Sequence, residues 1–250
     1  MPLQQKTTSP LQKGLAALLV TACFSWSDIV SAQTRDAGFD KVLREWVAHN
    51  IYFENSRFLL IRKRAVRADI RSDDPKIVAE ARDAISILAG AFGLDVQFVT
   101  SGGNLFVVTA DGVAEPDGTP KASLLASLGI TESGIKTITA LTRWRSGCGN
   151  YSSRDSQGQI SASVIAADKS LPPEKIRTCV VTGILYSFGL RTKGREALDS
   201  PTDYVQFLLL ARSLAACDHK LSAEKVDDAT SVPDLYVGCI VNRLKSKLFE

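Results

Sequence analysis

Apolar side chains recur along this chain with two periods, 3.6 residues and two residues, and the switches between them divide it into elements. Phe39, Val42, Leu43, Trp46 and Val47 stand at helical spacing, and Asn50 supplies a stop. Phe58 to Ile61 is apolar. Val66, Ala68 and Ile70 then alternate with Arg67, Asp69 and Arg71, the pattern of a half-buried strand. Asp73-Asp74-Pro75 predicts an N-cap with proline at the first helical position. Behind it Ile77, Ala81, Ala84, Ile85, Leu88 and Phe92 form one apolar face, the clearest helix in the chain, and Gly93 is its expected C-cap.

Val96 to Val99 and Leu105 to Ala110 read as two short strands, and Gly102-Gly103 between them predicts a hairpin. A phosphate cradle is disfavoured there, because a strand follows rather than a helix whose amides would hold an anion. Residues 111–120 read as loop, and 121–141 as one or two short helices. A polar loop is expected from Cys148 to Gly158, after which Ile160, Ala162 and Val164 alternate as a strand. Leu171-Pro172-Pro173-Glu174 opens a helix that reaches about Phe188 and stops at Gly189. Another begins after Ser200-Pro201 and carries Tyr204, Phe207, Leu208 and Leu210 to Cys217; a last one starts at Pro233 with Leu235, Tyr236, Cys239, Ile240 and Leu244. Strand, helix, several strands, then helices is an α+β order.

Charge and composition remove several functions. Thirty Lys and Arg against 27 Asp and Glu give +3, scattered along the chain, so no nucleic-acid footprint is present. Only His49 and His219 are available as histidines, which removes most zinc and histidine-base chemistries. At the N-terminus Lys6 and Lys13 precede Gly14 to Phe24, apolar or small apart from Thr21. That run falls short of the ~20 residues that span a bilayer and suits a signal-peptide core. Val30-Ser31-Ala32 places cleavage after Ala32, so residues 1–32 are expected to be a signal peptide and 33–250 one exported domain, periplasmic or secreted. Val20-Thr21-Ala22-Cys23 also fits a lipobox, which would acylate Cys23 and give a membrane-anchored lipoprotein. Soluble export is preferred, because Phe24, Trp26 and Ile29 make an unusually apolar start for a tether.

Export changes the reading of the cysteines. Cys148, Cys179, Cys217 and Cys239 are even in number in an oxidising space, which favours disulfides over free thiols or a metal site. Three pairings are open; Cys148 with Cys179 and Cys217 with Cys239 is preferred, since each pair brackets one local unit. Other candidates are thin. Arg143-Trp144-Arg145 could be an aromatic-basic patch, although one surface cation–π pair explains it. A peptidase-like hydrolase using an acid pair, or His219 as base beside Asp218, is the alternative, but Asp218-His219 reads more simply as an exposed turn after a helix, and no Gly-x-Ser-x-Gly elbow supplies a nucleophile.

The stretch Cys179-Val180-Val181-Thr182-Gly183-Ile184-Leu185-Tyr186-Ser187-Phe188-Gly189-Leu190 resembles the key helix of the secreted proteobacterial family catalogued as domain of unknown function 2927. That helix typically reads Cys, two residues, Glu-Glu, two residues, Gln, two residues, Gly-Leu. The cysteine and the Gly-Leu match. Leu208-Leu209-Leu210 through Cys217-Asp218-His219-Lys220-Leu221 is similar to the family's leucine-rich helix and the turn ending it, and Gly158 to Val164 to its preceding strand. The likeness covers roughly residues 140–222. It implies a degenerate zincin-like domain, a small mixed sheet packed against helices. Zinc peptidases of that kind carry His-Glu, two residues, His, two residues, Gly, with both histidines on one helix face and the glutamate activating water. Those positions here are Thr182, Gly183 and Tyr186, which offer neither good zinc ligands nor a base. The expectation is a non-catalytic domain without metal or cofactor. Thr182, Gly183 and Tyr186 are candidates for a surviving binding groove, and an envelope protein or peptide is the expected partner. Close packing against a neighbour is the simpler account of Gly183.

Overall fold

The computed structural model describes residues 37–51, 53–54, 58–59, 61–141, 147–156, 159–191, 201–223 and 232–248. The proposed signal segment, Cys23 and Arg143-Trp144-Arg145 lie outside them. The elements in chain order are α1 (Ala37–Asn50), β1 (Phe53–Glu54), β2 (Phe58–Leu59), β3 (Val66–Arg71), α2 (Pro75–Phe92), β4 (Val96–Phe98), β5 (Leu105–Ala110), α3 (Ala122–Ser127), α4 (Glu132–Leu141), β6 (Cys148–Arg154), β7 (Ile160–Asp168), α5 (Pro173–Ser187), α6 (Pro201–Ala223) and α7 (Val232–Leu248). The fold is α+β, with a five-stranded mixed sheet, order β4-β3-β5-β7-β6, and a helical C-terminal part. β4, β3, β5 and β7 run parallel; β6 is antiparallel to β7 and forms one edge.

Local chemistry explains the best-defined element. Asp74 accepts a hydrogen bond from the Lys76 amide at 2.8 Å, Pro75 occupies the first turn, and Gly93 ends α2 at φ 67°. That left-handed conformation favours glycine. The face from Ile77 to Phe92 is buried as the periodicity predicts. It joins the main core with Val66 and Ala68 of β3, Ile165 of β7, Val180, Ile184 and Leu185 of α5, and the inner faces of α6 and α7. A smaller core lies on the sheet's other face, where Phe106, Val108, Val164 and Ala166 meet Val113, Leu125 and Leu128. β5 and β7 are therefore covered on both sides, and each carries a continuous apolar run, Leu105 to Val108 and Val164 to Ala167.

Two expectations fail. The Gly102-Gly103 segment is not a hairpin: β4 and β5 each pair in parallel with β3, on its opposite edges. The glycines let the chain cross β3 closely. A Cβ at Gly103 would stand 2.9 Å from the Arg67 carbonyl oxygen, and Gly102 adopts φ 66°. Asn104 fixes the crossing, accepting from the Arg67 amide and donating to the Ala65 carbonyl, each at 2.9 Å. The second failure is the polar loop after Cys148, which is strand β6. An edge strand needs no apolar face, so Cys-Gly-Asn-Tyr-Ser-Ser-Arg carries no alternation to read.

Both preferred cysteine pairings are present. Cys148–Cys179 ties β6 to α5 with a Cα separation of 5.8 Å, and Cys217–Cys239 ties α6 to α7 at 6.0 Å. Among the described residues, no helix is long and apolar enough to cross a membrane.

Candidate functional site

Helix α5 leaves β7 through Leu171 and Pro172 and returns across β7 and β6. It closes with a Schellman motif, in which the Leu190 amide bonds the Leu185 carbonyl at 3.1 Å and the Gly189 amide bonds Tyr186 at 3.0 Å. Gly189 permits this at φ 93°. The disulfide turns the Cys179 side of α5 toward β6, and Thr182 and Tyr186 follow at i+3 and i+7 along that side. On the strand, Asn150 and Ser152 share a face with Cys148. These residues define a seam between α5 and the edge strand.

The three candidate groove residues are not equivalent. Gly183 faces the sheet and lines no groove: a Cβ there would meet Ile165 Cγ2 at 2.6 Å and Cγ1 at 2.9 Å. Its packing against β7 explains the helical glycine. Thr182 and Tyr186 are half-buried, and the Thr182 hydroxyl is buried without a hydrogen-bond partner. Among the described residues, no group of three or more His, Cys, Asp or Glu side chains is placed to hold a metal ion.

Asp218 and His219 lie inside α6, not in a turn after it. Asp218 accepts from the Tyr236 hydroxyl at 2.8 Å and pairs with Lys63 at 2.7 Å. Burial, then the hydrogen bond and charge of Asp218, push the Tyr236 phenol above its ordinary pKa. His219 is exposed. Neighbours on a helix diverge by about 100°, so Asp218 is committed to a structural bond while His219 points elsewhere. The pair does not form an acid–base site.

Sequence reasoning missed the most unusual polar group. Arg62 is 1% exposed. Its Nε donates to the Ser187 carbonyl at 3.0 Å, one of the orphan carbonyls ending α5, and its Nη2 donates to Ser163 Oγ at 2.8 Å. Ser163 Oγ lies 2.7 Å from Ser152 Oγ on β6. The guanidinium stands 5.9 Å from the Phe188 ring centre, and Nη1 has no partner. Burial lowers its pKa to about 10, still far above neutral. Within Ile61-Arg62-Lys63-Arg64 nothing in sequence separates the buried cation from its neighbours, which pair with Asp218 and Asp155 at the surface. Ser163 carried a weak signal, a hydroxyl in phase with buried Ile165 on an apolar strand.

A cleft of about 460 Å³ lies near the carboxyl end of β7, lined by Glu115, Asp117, Gly118, Gly147 and Asp168 among others. Two of its carboxylates, Asp168 and Asp117, have internal partners. Burial would raise the pKa of Asp168, yet bonds from Ser170 and Gly112 and the Lys121 charge outweigh it and hold it below the ordinary value. Asp117 accepts from the Thr119 amide and hydroxyl at 2.8 and 2.7 Å. Comparison with protein-family models, with curated proteins and with solved structures returned no match.

Proposed function

We propose that this chain is an exported, non-catalytic zincin-like domain that acts by binding, receiving an extended protein segment along the edge strand β6. The observation that carries the reading is the packing of Gly183. At the position where the resembled motif keeps its glutamate, any side chain would collide with Ile165 of β7. Thr182 and Tyr186, where that motif keeps histidines, offer a hydroxyl and a neutral phenol, poor ligands for zinc. The frame of a hydrolase helix on a mixed sheet persists with its chemistry emptied, the pattern expected of a divergent member of the family catalogued as domain of unknown function 2927.

A binding role has its own support. Among the described residues no strand pairs with the outer edge of β6, so that edge can accept another strand through main-chain hydrogen bonds. The Cys148–Cys179 bond holds it against α5. Two disulfides fit the periplasm or the exterior, where such bonds persist, and agree with the signal-like N-terminus.

The test is photo-crosslinking from β6 in the native envelope, with a crosslinker at Ser153 and another at exposed Arg243 on α7 as control. A discrete adduct at Ser153 alone supports the reading. Purified protein that turns over peptide, ester or glycan substrates, with activity lost on Tyr186→Phe, overturns it. Mass spectrometry of the mature N-terminus separates cleavage before Gln33 from acylation at Cys23.

A further inference from the structure

The hydrogen bonds around Arg62 have a direction. A buried cation is ordinarily paired, because removing it from water costs several kcal/mol that only a counter-charge returns. Arg62 is 1% exposed, both its acceptors are neutral, and Nη1 has none. Among the described residues no carboxylate is paired with it. A serine hydroxyl has one proton and two lone pairs. With one lone pair of Ser163 Oγ taken by the guanidinium, polarisation along the chain favours Ser163 donating its own proton to Ser152 Oγ, 2.7 Å away. Ser152 then accepts, and its proton is left to point out of the chain. Ser152 is half-buried on the edge strand, facing the seam in which the Thr182 hydroxyl is also buried without a partner.

We infer that Arg62, Ser163 and Ser152 form a polarised relay that turns the Ser152 hydroxyl outward as a hydrogen-bond donor, a subsite for a carboxylate on the segment received by β6. The inference rests on the reading of β6 as the binding edge and adds the chemistry of the occupant. Arg62 and Ser163 are positioning residues, since they act through Ser152. The anion supplies the counter-charge that the buried guanidinium lacks, and the two hydroxyls, polarised between them, link the pair without bringing it into contact. Carboxylate is shared by aspartate or glutamate side chains and a chain terminus, and the relay reads either.

The test uses the mature protein, isotope-labelled, with acetate as the probe. Acetate is expected to shift the Ser152 amide and Arg62 Nε–H signals saturably, in the millimolar range. Ser152→Ala and Ser163→Ala should each weaken this about tenfold, the loss of one charge-assisted bond, with Ser152→Ala still unfolding cooperatively at a urea midpoint lowered only by the loss of its bond to Ser163. N-acetylalanine carries only an α-carboxylate and N-acetylglutamate α-amide only a side-chain one; the tighter binder names the source. Absent or unsaturable shifts, or shifts that survive Ser152→Ala, overturn the subsite. Binding retained in Ser163→Ala and lost in Ser152→Ala overturns the relay. A Ser153 crosslink to a partner, together with silence toward acetate, would leave the β6 reading standing and remove this one.

Discussion

Replacing Gly183 with alanine sets two opposed effects against each other. In an exposed helix the change stabilises by about 1 kcal/mol, because glycine loses more backbone freedom on folding. Here the new methyl would sit 2.6 Å from Ile165 Cγ2, 2.9 Å from Cγ1 and 3.2 Å from Cβ, against an ordinary carbon contact of about 3.5–4.0 Å. Neither partner yields easily: Ile165 is 0% exposed in a strand paired on both sides, and α5 is tied to β6 by a disulfide. Overpacking of this kind costs about 1–3 kcal/mol, and three short contacts place it near the upper end. The net expectation is a loss of about 1–2 kcal/mol, seen as a lower urea midpoint at unchanged slope and a fall in Tm of about 2–8 °C. Ile165→Ala costs about 2–5 kcal/mol alone but removes the two nearest clashing atoms, Cγ2 and Cγ1, so the double variant should be less destabilised than the sum by about 1 kcal/mol or more. A Gly183→Ala protein that is more stable than the parent, or strict additivity with Ile165→Ala, would refute the packing argument and with it the exclusion of a glutamate here.

Three further outcomes follow from the same structure. Replacing both cysteines of one disulfide by serine frees a loop of 31 or 22 residues. Each pair should cost about 3–4 kcal/mol in the loop-closure account, measured by denaturation without reductant. Asp74→Ala removes the α2 cap bond and should cost about 1 kcal/mol, readable as a shift in the urea midpoint. The folded Tyr236 phenol has a pKa raised from 10.0, so its contribution is full below that pH and is lost as pH climbs above it, where the unfolded chain ionises first. Tyr236→Phe should flatten the alkaline limb of the stability profile.

Legibility from sequence followed the physics of each element. α2 announces both ends and one face because cap chemistry and amphipathicity agree at Asp74, Pro75 and Gly93. The disulfide pairing was accessible because each pair lies within one supersecondary unit. Gly102-Gly103 misled because a tight turn and a close crossing require the same residue, and the difference lies in β3, thirty-odd positions earlier in the chain. β6 was hidden by being an edge, and its partner β7 was understated because only alternate residues were counted on a strand buried on both faces. At the candidate site, Thr182, Gly183 and Tyr186 could be picked out along α5, and the packing of Gly183 against a neighbour was the simpler account of it. Arg62 could not, because its burial arises from the meeting of a coil, a strand and a helix end distant in sequence.

The sheet is fastened unequally on its two sides. One face is bolted by the Cys148–Cys179 bond and the main core, whose C-terminal helices are themselves joined by Cys217–Cys239, whereas the other is roofed by two short helices over a handful of apolar residues. The roof is the cheaper layer to lift. Its detachment bares Phe106, Val108 and Val164 while the opposite layer stays clamped, so the first partly open form of this protein keeps the seam beside Ser152 intact.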